Sequence, residues 1–199
     1  MTFDSGAASF TITNSANTLT LTGSGVTNNS ASGQTLNVPI VMSAAQTVNA
    51  AAGNIALGGV ISGAGSLTKT GSGTLTLSAT GNSLGGNVSV IGGTLNIAGG
   101  STAFGTGLSY VGYQNNSGNL TVSGGSFTTG GELWVGGSDQ NGTAYNGVGT
   151  LTVSGGANVS LGKLTVARGN KATKTDWEPE IGGAVLFTCQ VKVFADGKP

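Results

Sequence analysis

Gly118-Asn119-Leu120-Thr121-Val122-Ser123-Gly124-Gly125 returns further along the chain as Gly149-Thr150-Leu151-Thr152-Val153-Ser154-Gly155-Gly156. The same offset aligns Gly131-Glu132-Leu133-Trp134-Val135 with Gly162-Lys163-Leu164-Thr165-Val166. Leu133 follows Leu120 at the same separation as Leu164 follows Leu151. A looser copy lies upstream: Thr94-Leu95-Asn96-Ile97-Ala98-Gly99-Gly100, with Leu108 at that same separation from Leu95. Each unit is therefore expected to hold two or three short strands. The polar stretch from Gly136 to Gly149 is a loop that lengthens one unit.

Inside the units apolar and hydroxyl residues alternate, as in Phe10-Thr11-Ile12-Thr13, Leu19-Thr20-Leu21-Thr22, Leu75-Thr76-Leu77-Ser78 and Val88-Ser89-Val90. Strict alternation over four residues marks a strand with one buried face. Thr and Ser on the other face suit a pleated surface. Pairs such as Gly92-Gly93, Gly124-Gly125 and Gly155-Gly156 follow the runs and supply turns. Pro39 interrupts Thr35-Leu36-Asn37-Val38-Pro39-Ile40-Val41-Met42, and a proline without an N–H is expected at a strand end, an edge or a bulge. Repeats of this length indicate solenoids, propellers or arrays. A propeller blade needs about four strands in ~40–50 residues, more than these units hold. The expected fold is all-β, a parallel β-helix (β-solenoid). At ~20–30 residues per coil the chain makes roughly seven to nine coils, a rod on the order of 40 Å at the usual strand spacing.

Composition narrows the function. The chain has 199 residues, 38 of them Gly, with 7% charged and 37% hydrophobic. An average protein has roughly 7% Gly and 25% charged residues. The apolar share is enough to bury, which argues against disorder. Net charge is zero, so nothing favours a phosphate backbone and nucleic acid is not an expected partner. No apolar window reaches membrane length. The first residues lack the basic and apolar regions of a signal peptide, so the chain is read as a fragment without one. Only Asp4, Lys69, Glu132 and Asp139 are charged in residues 1–162, whereas residues 163–199 hold ten charges. Two parts are therefore expected: a solenoid over 1–167 and a short distinct C-terminal segment, 168–199. The latter is read as a cap or assembly segment, because solenoid ends expose ladder groups.

Residues 63–97 carry a more specific pattern. Gly63-Ala64-Gly65-Ser66-Leu67-Thr68-Lys69-Thr70-Gly71-Ser72-Gly73-Thr74-Leu75-Thr76-Leu77-Ser78, followed by Gly92-Gly93-Thr94-Leu95, resembles the autotransporter-associated β-strand repeat. The resemblance implies a right-handed parallel β-helix, secretion, and a place on or outside a bacterial cell surface. It brings no catalytic residues. The family's C-terminal outer-membrane barrel has no counterpart in these residues.

Candidate chemistry is sparse. Without His, serine triads, Cys–His dyads and the usual zinc sites are not available. Neither a catalytic residue, a metal site nor a cofactor is expected. Cys189 sits in the apolar run Ala184–Cys189 and reads as a core thiol. Asp176, Glu178 and Glu180 alternate around Pro179 and read as a solvated loop rather than a glycosidic or calcium site. Asp139-Gln140-Asn141-Gly142 reads as a turn. Runs such as Thr74 and Thr76 suggest an ice-binding array, but Thr, Ser and Asn mix irregularly at the matching positions. Trp134, Tyr110, Tyr113 and Tyr145, in or beside the variable loops, are the candidate ligand-contact aromatics, set against packing within the solenoid. The expected function is a secreted structural or adhesive scaffold of the cell surface, with host or matrix glycans as partners. The alternatives are a filament subunit that self-associates through solenoid ends, and a carbohydrate-binding or carbohydrate-cleaving β-helix.

Overall fold

The computed structural model describes residues 1–14, 16–137 and 147–168. The C-terminal segment beyond Arg168 lies outside the described residues, and so do Asp139, Tyr145, Asp176, Glu178, Glu180 and Cys189. Every regular element described is a strand, and every pairing is parallel.

The chain winds as a solenoid of about six turns, with three strands to a coil. The first coil is β1 (Thr2–Phe3), β2 (Thr11–Thr13) and β3 (Leu19–Leu21). The second is β4 (Val26–Asn28), β5 (Gln34–Asn37) and β6 (Ile40–Met42), and the third β7 (Gln46–Ala50), β8 (Ile55–Leu57) and β9 (Ile61–Gly63). Then come β10 (Leu67–Thr70), β11 (Thr74–Leu77) and β12 (Asn82–Leu84), followed by β13 (Val88–Val90), β14 (Thr94–Ile97) and β15 (Ser101–Phe104). The last part is β16 (Ser109–Val111), β17 (Ser117–Val122), β18 (Ser126–Gly137), β19 (Val148–Val153) and β20 (Asn158–Arg168). Each strand up to β15 pairs with the third strand on, which gives three faces; beyond it β16 pairs β18, β17 pairs β19 and β18 pairs β20. From β18 onward the third face runs unbroken into the first face of the next coil, through a register shift between Thr129 and Glu132. Pro39 falls between β5 and β6, at a strand end, where no ladder bond is lost.

Alternation within each strand becomes a column across coils. On the second face Leu36, Leu57, Leu77, Ile97 and Val122 lie over one another, and each is essentially fully buried. Burying such a side chain is worth roughly 1.5–3 kcal/mol, so the columns are the main source of stability. The offset between the two C-terminal repeat units is a true coil: Leu120 pairs Leu151, and Leu133 pairs Leu164. The upstream copy differs from expectation at one point. Ser109, not Leu108, is the partner of Leu133, because the alternation turns Tyr110 outward and Ser109 and Val111 inward. Over the described residues the rod has fewer coils than the seven to nine expected for the full chain. Seven strands on the second face make six ladder steps, roughly 30 Å at the usual spacing. The coils lengthen toward the C-terminal end, which leaves fewer of them per residue.

Corners are fixed by buried polar side chains. Asn28 donates to the carbonyls of Ser32 and Asn54 at 2.9 and 3.1 Å, and Asn82 accepts from the Ile61 N–H at 3.0 Å. The most unusual is Lys69. It sits in the column Val26, Val48, Lys69, Val90, Val111 with no exposed surface. Its Nζ donates to the carbonyl oxygens of Thr70 (2.7 Å), Gly71 (3.0 Å) and Gly92 (3.0 Å). Gly71 holds the corner open at φ 74°, and a Cβ there would lie 2.3 Å from the Ala50 carbonyl oxygen. Only glycine fits.

Two outcomes follow for stability. Leu77→Ala should cost about 2–5 kcal/mol in chemical denaturation, whereas Thr76→Ala, one residue away on the outer side, should stay within about 0.5 kcal/mol. Equal costs would contradict the columns. Burial also pulls the Lys69 ammonium down from 10.5 to about 8. Between those values the unfolded chain holds more protons, so folding is favoured as pH rises. The penalty is full below the folded value and removed above the unfolded one. Stability should rise by roughly 2 kcal/mol from pH 7 to 9.5 through this group, and Lys69→Met should lose that rise. Equal pH slopes in the two proteins would contradict the buried ammonium.

Candidate functional site

The outer column of the first face runs Thr47, Thr68, Ser89, Tyr110, Trp134, Thr165. Small hydroxyl residues give way to aromatic ones at Tyr110. The ladder register sets Tyr110 opposite Trp134, with ring centroids 5.6 Å apart at 88°, an edge-to-face contact. Tyr113 reaches the pair from the turn between β16 and β17, 4.2 Å from Tyr110 and 6.4 Å from Trp134. Three of the four expected aromatics are thus brought together. The fourth, Tyr145, lies outside the described residues. Tyr110 and Trp134 stand on strands rather than on loops, because the period-two alternation, not the variable turn, carries them outward.

Their accessibility differs. Trp134 is only 4% exposed, while Tyr110 and Tyr113 are half-buried. Any ring face offered to a ligand therefore belongs to the tyrosines, and Trp134 packs edge-to-face against Tyr110 beside them. The turn beside them is tightly specified. Gln114 and Asn115 both adopt left-handed conformations, at φ 48° and 57°. Asn tolerates that region, and Gln does so at a cost. The Asn116 amide donates to the carbonyls of Tyr113 (2.7 Å) and Gln114 (2.8 Å), and the Gln114 amide donates to the Tyr113 hydroxyl at 3.1 Å. Backbone held this way is over-determined by its surroundings, a condition common at functional sites.

A carboxylate completes the cluster. Glu132 sits two residues before Trp134 on the same outer side, opposite Lys163 in the ladder, with Lys163 Nζ 2.9 Å away. The Thr165 hydroxyl donates to Glu132 Oε1. Hydrogen bonds from Thr165, Lys163 and Trp134 hold the carboxyl at about 2, well below its ordinary 4.5, against the opposing effect of desolvation. The sequence alone does not single out Glu132, Lys163 and Thr165 as a group. The repeat alignment nevertheless contains the pairing, since it writes Glu132 over Lys163 and Trp134 over Thr165.

The arrangement carries groups suited to recognition. It offers two half-buried aromatic rings, an ionised acceptor and amide groups, the set that binds polar rings by stacking and hydrogen bonding. Among the described residues the only other acid is Asp4, which lies in the first coil, away from Glu132. A glycosidic acid–base pair needs two carboxyls within about 5–10 Å of each other. Among the described residues no three His, Cys, Asp or Glu side chains gather into a metal-holding group, and no helix is long and apolar enough to cross a membrane. Comparison with family models, curated proteins and solved structures finds no match to this chain.

The titration of Glu132 tests the cluster. Its carboxyl carbon, followed by NMR, should titrate near pH 2, and Thr165→Val should move the midpoint upward, since the threonine hydroxyl is the largest contribution. A midpoint near the ordinary carboxylate value in the parent protein would show that the cluster is not assembled in solution.

Proposed function

We propose that this chain is a structural and adhesive scaffold of a bacterial cell surface, secreted and non-catalytic, built from coils of the autotransporter-associated type. The observation that carries the reading is the chemistry of the outer columns. On the second face the column Thr11, Thr35, Ala56, Thr76, Asn96, Thr121, Thr152 runs through seven strands without a charge, and none of these residues is buried. A continuous core inside and a neutral, hydroxyl-rich surface outside describe a stiff rod that holds contact surfaces at a distance. The motif at residues 63–97 supports the placement among passenger-type coils, and Lys69 of that motif has a structural role in the corner. Glycans of a host or matrix are the proposed partners, at Tyr110 and Tyr113.

A second reading, a filament subunit, draws on the outermost described rungs. Ile12 and Val166 belong to inward columns yet are 37% exposed, and Phe10 is 51% exposed. A further coil would cover them, and a second copy is one source of it. Uniform long rods in negative-stain images at micromolar concentration favour this reading. A monodisperse short particle favours the scaffold.

Two measurements test the scaffold. Lys69 offers trypsin the only Lys or Arg in residues 1–162, and it is fully buried. Native digestion should leave that stretch intact for hours under conditions that cut the urea-unfolded chain in minutes. Equal rates would contradict a rigid rod. In soluble-glycan titrations, Tyr110→Ala combined with Tyr113→Ala should weaken binding at least tenfold, while Thr121→Ala should not. Glycan binding indifferent to the tyrosines would remove them as the contact.

A further inference from the structure

The core columns are chemically repetitive. On the first face Val48 and Val90 flank Lys69, with Val111 one rung further on, and the strand that carries it, Leu67-Thr68-Lys69-Thr70, lies between Gln46-Thr47-Val48-Asn49 and Val88-Ser89-Val90. Period-two alternation fixes which side of a strand faces inward. It does not distinguish a register from one shifted by two residues, since both leave the same face buried. Aliphatic columns penalise such a slip weakly, because one Leu or Val fits over another at small cost.

Lys69 penalises it strongly. Its ammonium has three donors and no acceptor, and it meets three main-chain carbonyls that converge at one corner: Thr70 and Gly71 of its own coil, and Gly92 of the next. The third bond crosses between coils, so it is made only when β10 and β13 are in register. Among the described residues the acids are Asp4 and Glu132, and neither is bonded to Lys69. The three carbonyls are thus the hydrogen-bond partners of the ammonium among the described residues. Shifted by two residues toward the Leu67 position, the side chain would lie between Gln46 and Val88; Thr70 and Gly71 travel with it, and the Gly92 carbonyl of the next coil is left behind. The slip leaves one ammonium hydrogen unpaired in the core and the Gly92 carbonyl without its donor, and an unsatisfied buried charge–dipole contact is costly where an aliphatic mismatch is not. A single buried polar residue is known to fix register in packed repeats at some cost in stability.

We infer that Lys69 is a register pin, a buried cation whose inter-coil bond to the Gly92 carbonyl selects one alignment of β10 against β13 from alignments the apolar columns would tolerate. The inference does not depend on what the outer faces bind.

Disulfide trapping tests it, in a Cys189→Ser background. Thr68→Cys with Ser89→Cys marks the native register, since these residues are ladder partners on the outer side. Thr70→Cys with Ser89→Cys marks the two-residue slip. In the native ladder that second pair is separated by about 8 Å, beyond the roughly 7 Å limit for a disulfide. After refolding under a mild oxidant, the parent protein should close only the native pair. Lys69→Met should close the slipped pair at least tenfold more than the parent does. A methionine variant that closes only the native pair overturns the proposal. If that variant does not fold, Lys69→Gln supplies the reading, because its amide has two hydrogens for three carbonyls. The slipped pair must then rise above the parent level, and its failure to rise overturns the proposal equally.

Discussion

The structure depends on one constraint: each coil must set an apolar side chain directly over the apolar side chain of the coil before it. A single strand of three or four residues has too little surface to be stable alone. Stacked in parallel register, the same strand gives its backbone to two ladders and its inward residues to a shared column. Leu36, Leu57, Leu77, Ile97 and Val122 form one such column, and Leu75, Leu95 and Leu120 part of its neighbour. The spacing between stacked residues shows how much the rest of the coil is free to vary. Val48, Lys69, Val90 and Val111 follow one another at even steps along the chain, the step from Val111 to Val135 is longer, and the step from Val135 to Val166 is longer again. Turns absorb the difference and the columns do not.

Function has room on the outside because the inside is so uniform. The outward positions of a solenoid strand bear little on stability, so an aromatic residue can replace a hydroxyl one there without disturbing the ladder. That substitution occurs at Tyr110 and Trp134, where the turn before β17 also acquires consecutive left-handed residues and a carboxylate is held ionised across the ladder. The departures from regularity thus gather on one face of the C-terminal coils. The N-terminal coils carry their departures inside instead, at Asn28, Asn82 and Lys69, where they tie corners together.

Much of the fold is legible in the residues. Alternation in Leu120–Ser123 and Leu151–Ser154, and the offset between them, gives strand, face and coil together, since both the side-chain period and the stacking are read in units of whole residues. The third strand of each coil is less legible. Ile61-Ser62-Gly63 and Asn82-Ser83-Leu84 are short, and their inward residues include a buried asparagine that looks like a turn former in isolation. Leu108 is misplaced by one position for a related reason: a buried serine, Ser109, occupies the column and accepts from the Val88 N–H at 3.2 Å. At the site the aromatics are visible by type. The Glu132 partners are visible only through the alignment, because residues a full coil apart become neighbours by stacking alone. Lys69 cannot be read as buried from its chemistry, since its cage is made of backbone.

Parallel, in-register stacking is the property on which every coil depends, and inter-strand NOEs measure it directly. Isotope-labelled protein should show backbone contacts linking Thr76 to Asn96 and Asn96 to Thr121, the steps of one parallel ladder. Strong Hα–Hα contacts between strands adjacent in sequence, such as β10 with β11, would indicate antiparallel hairpins and contradict the solenoid.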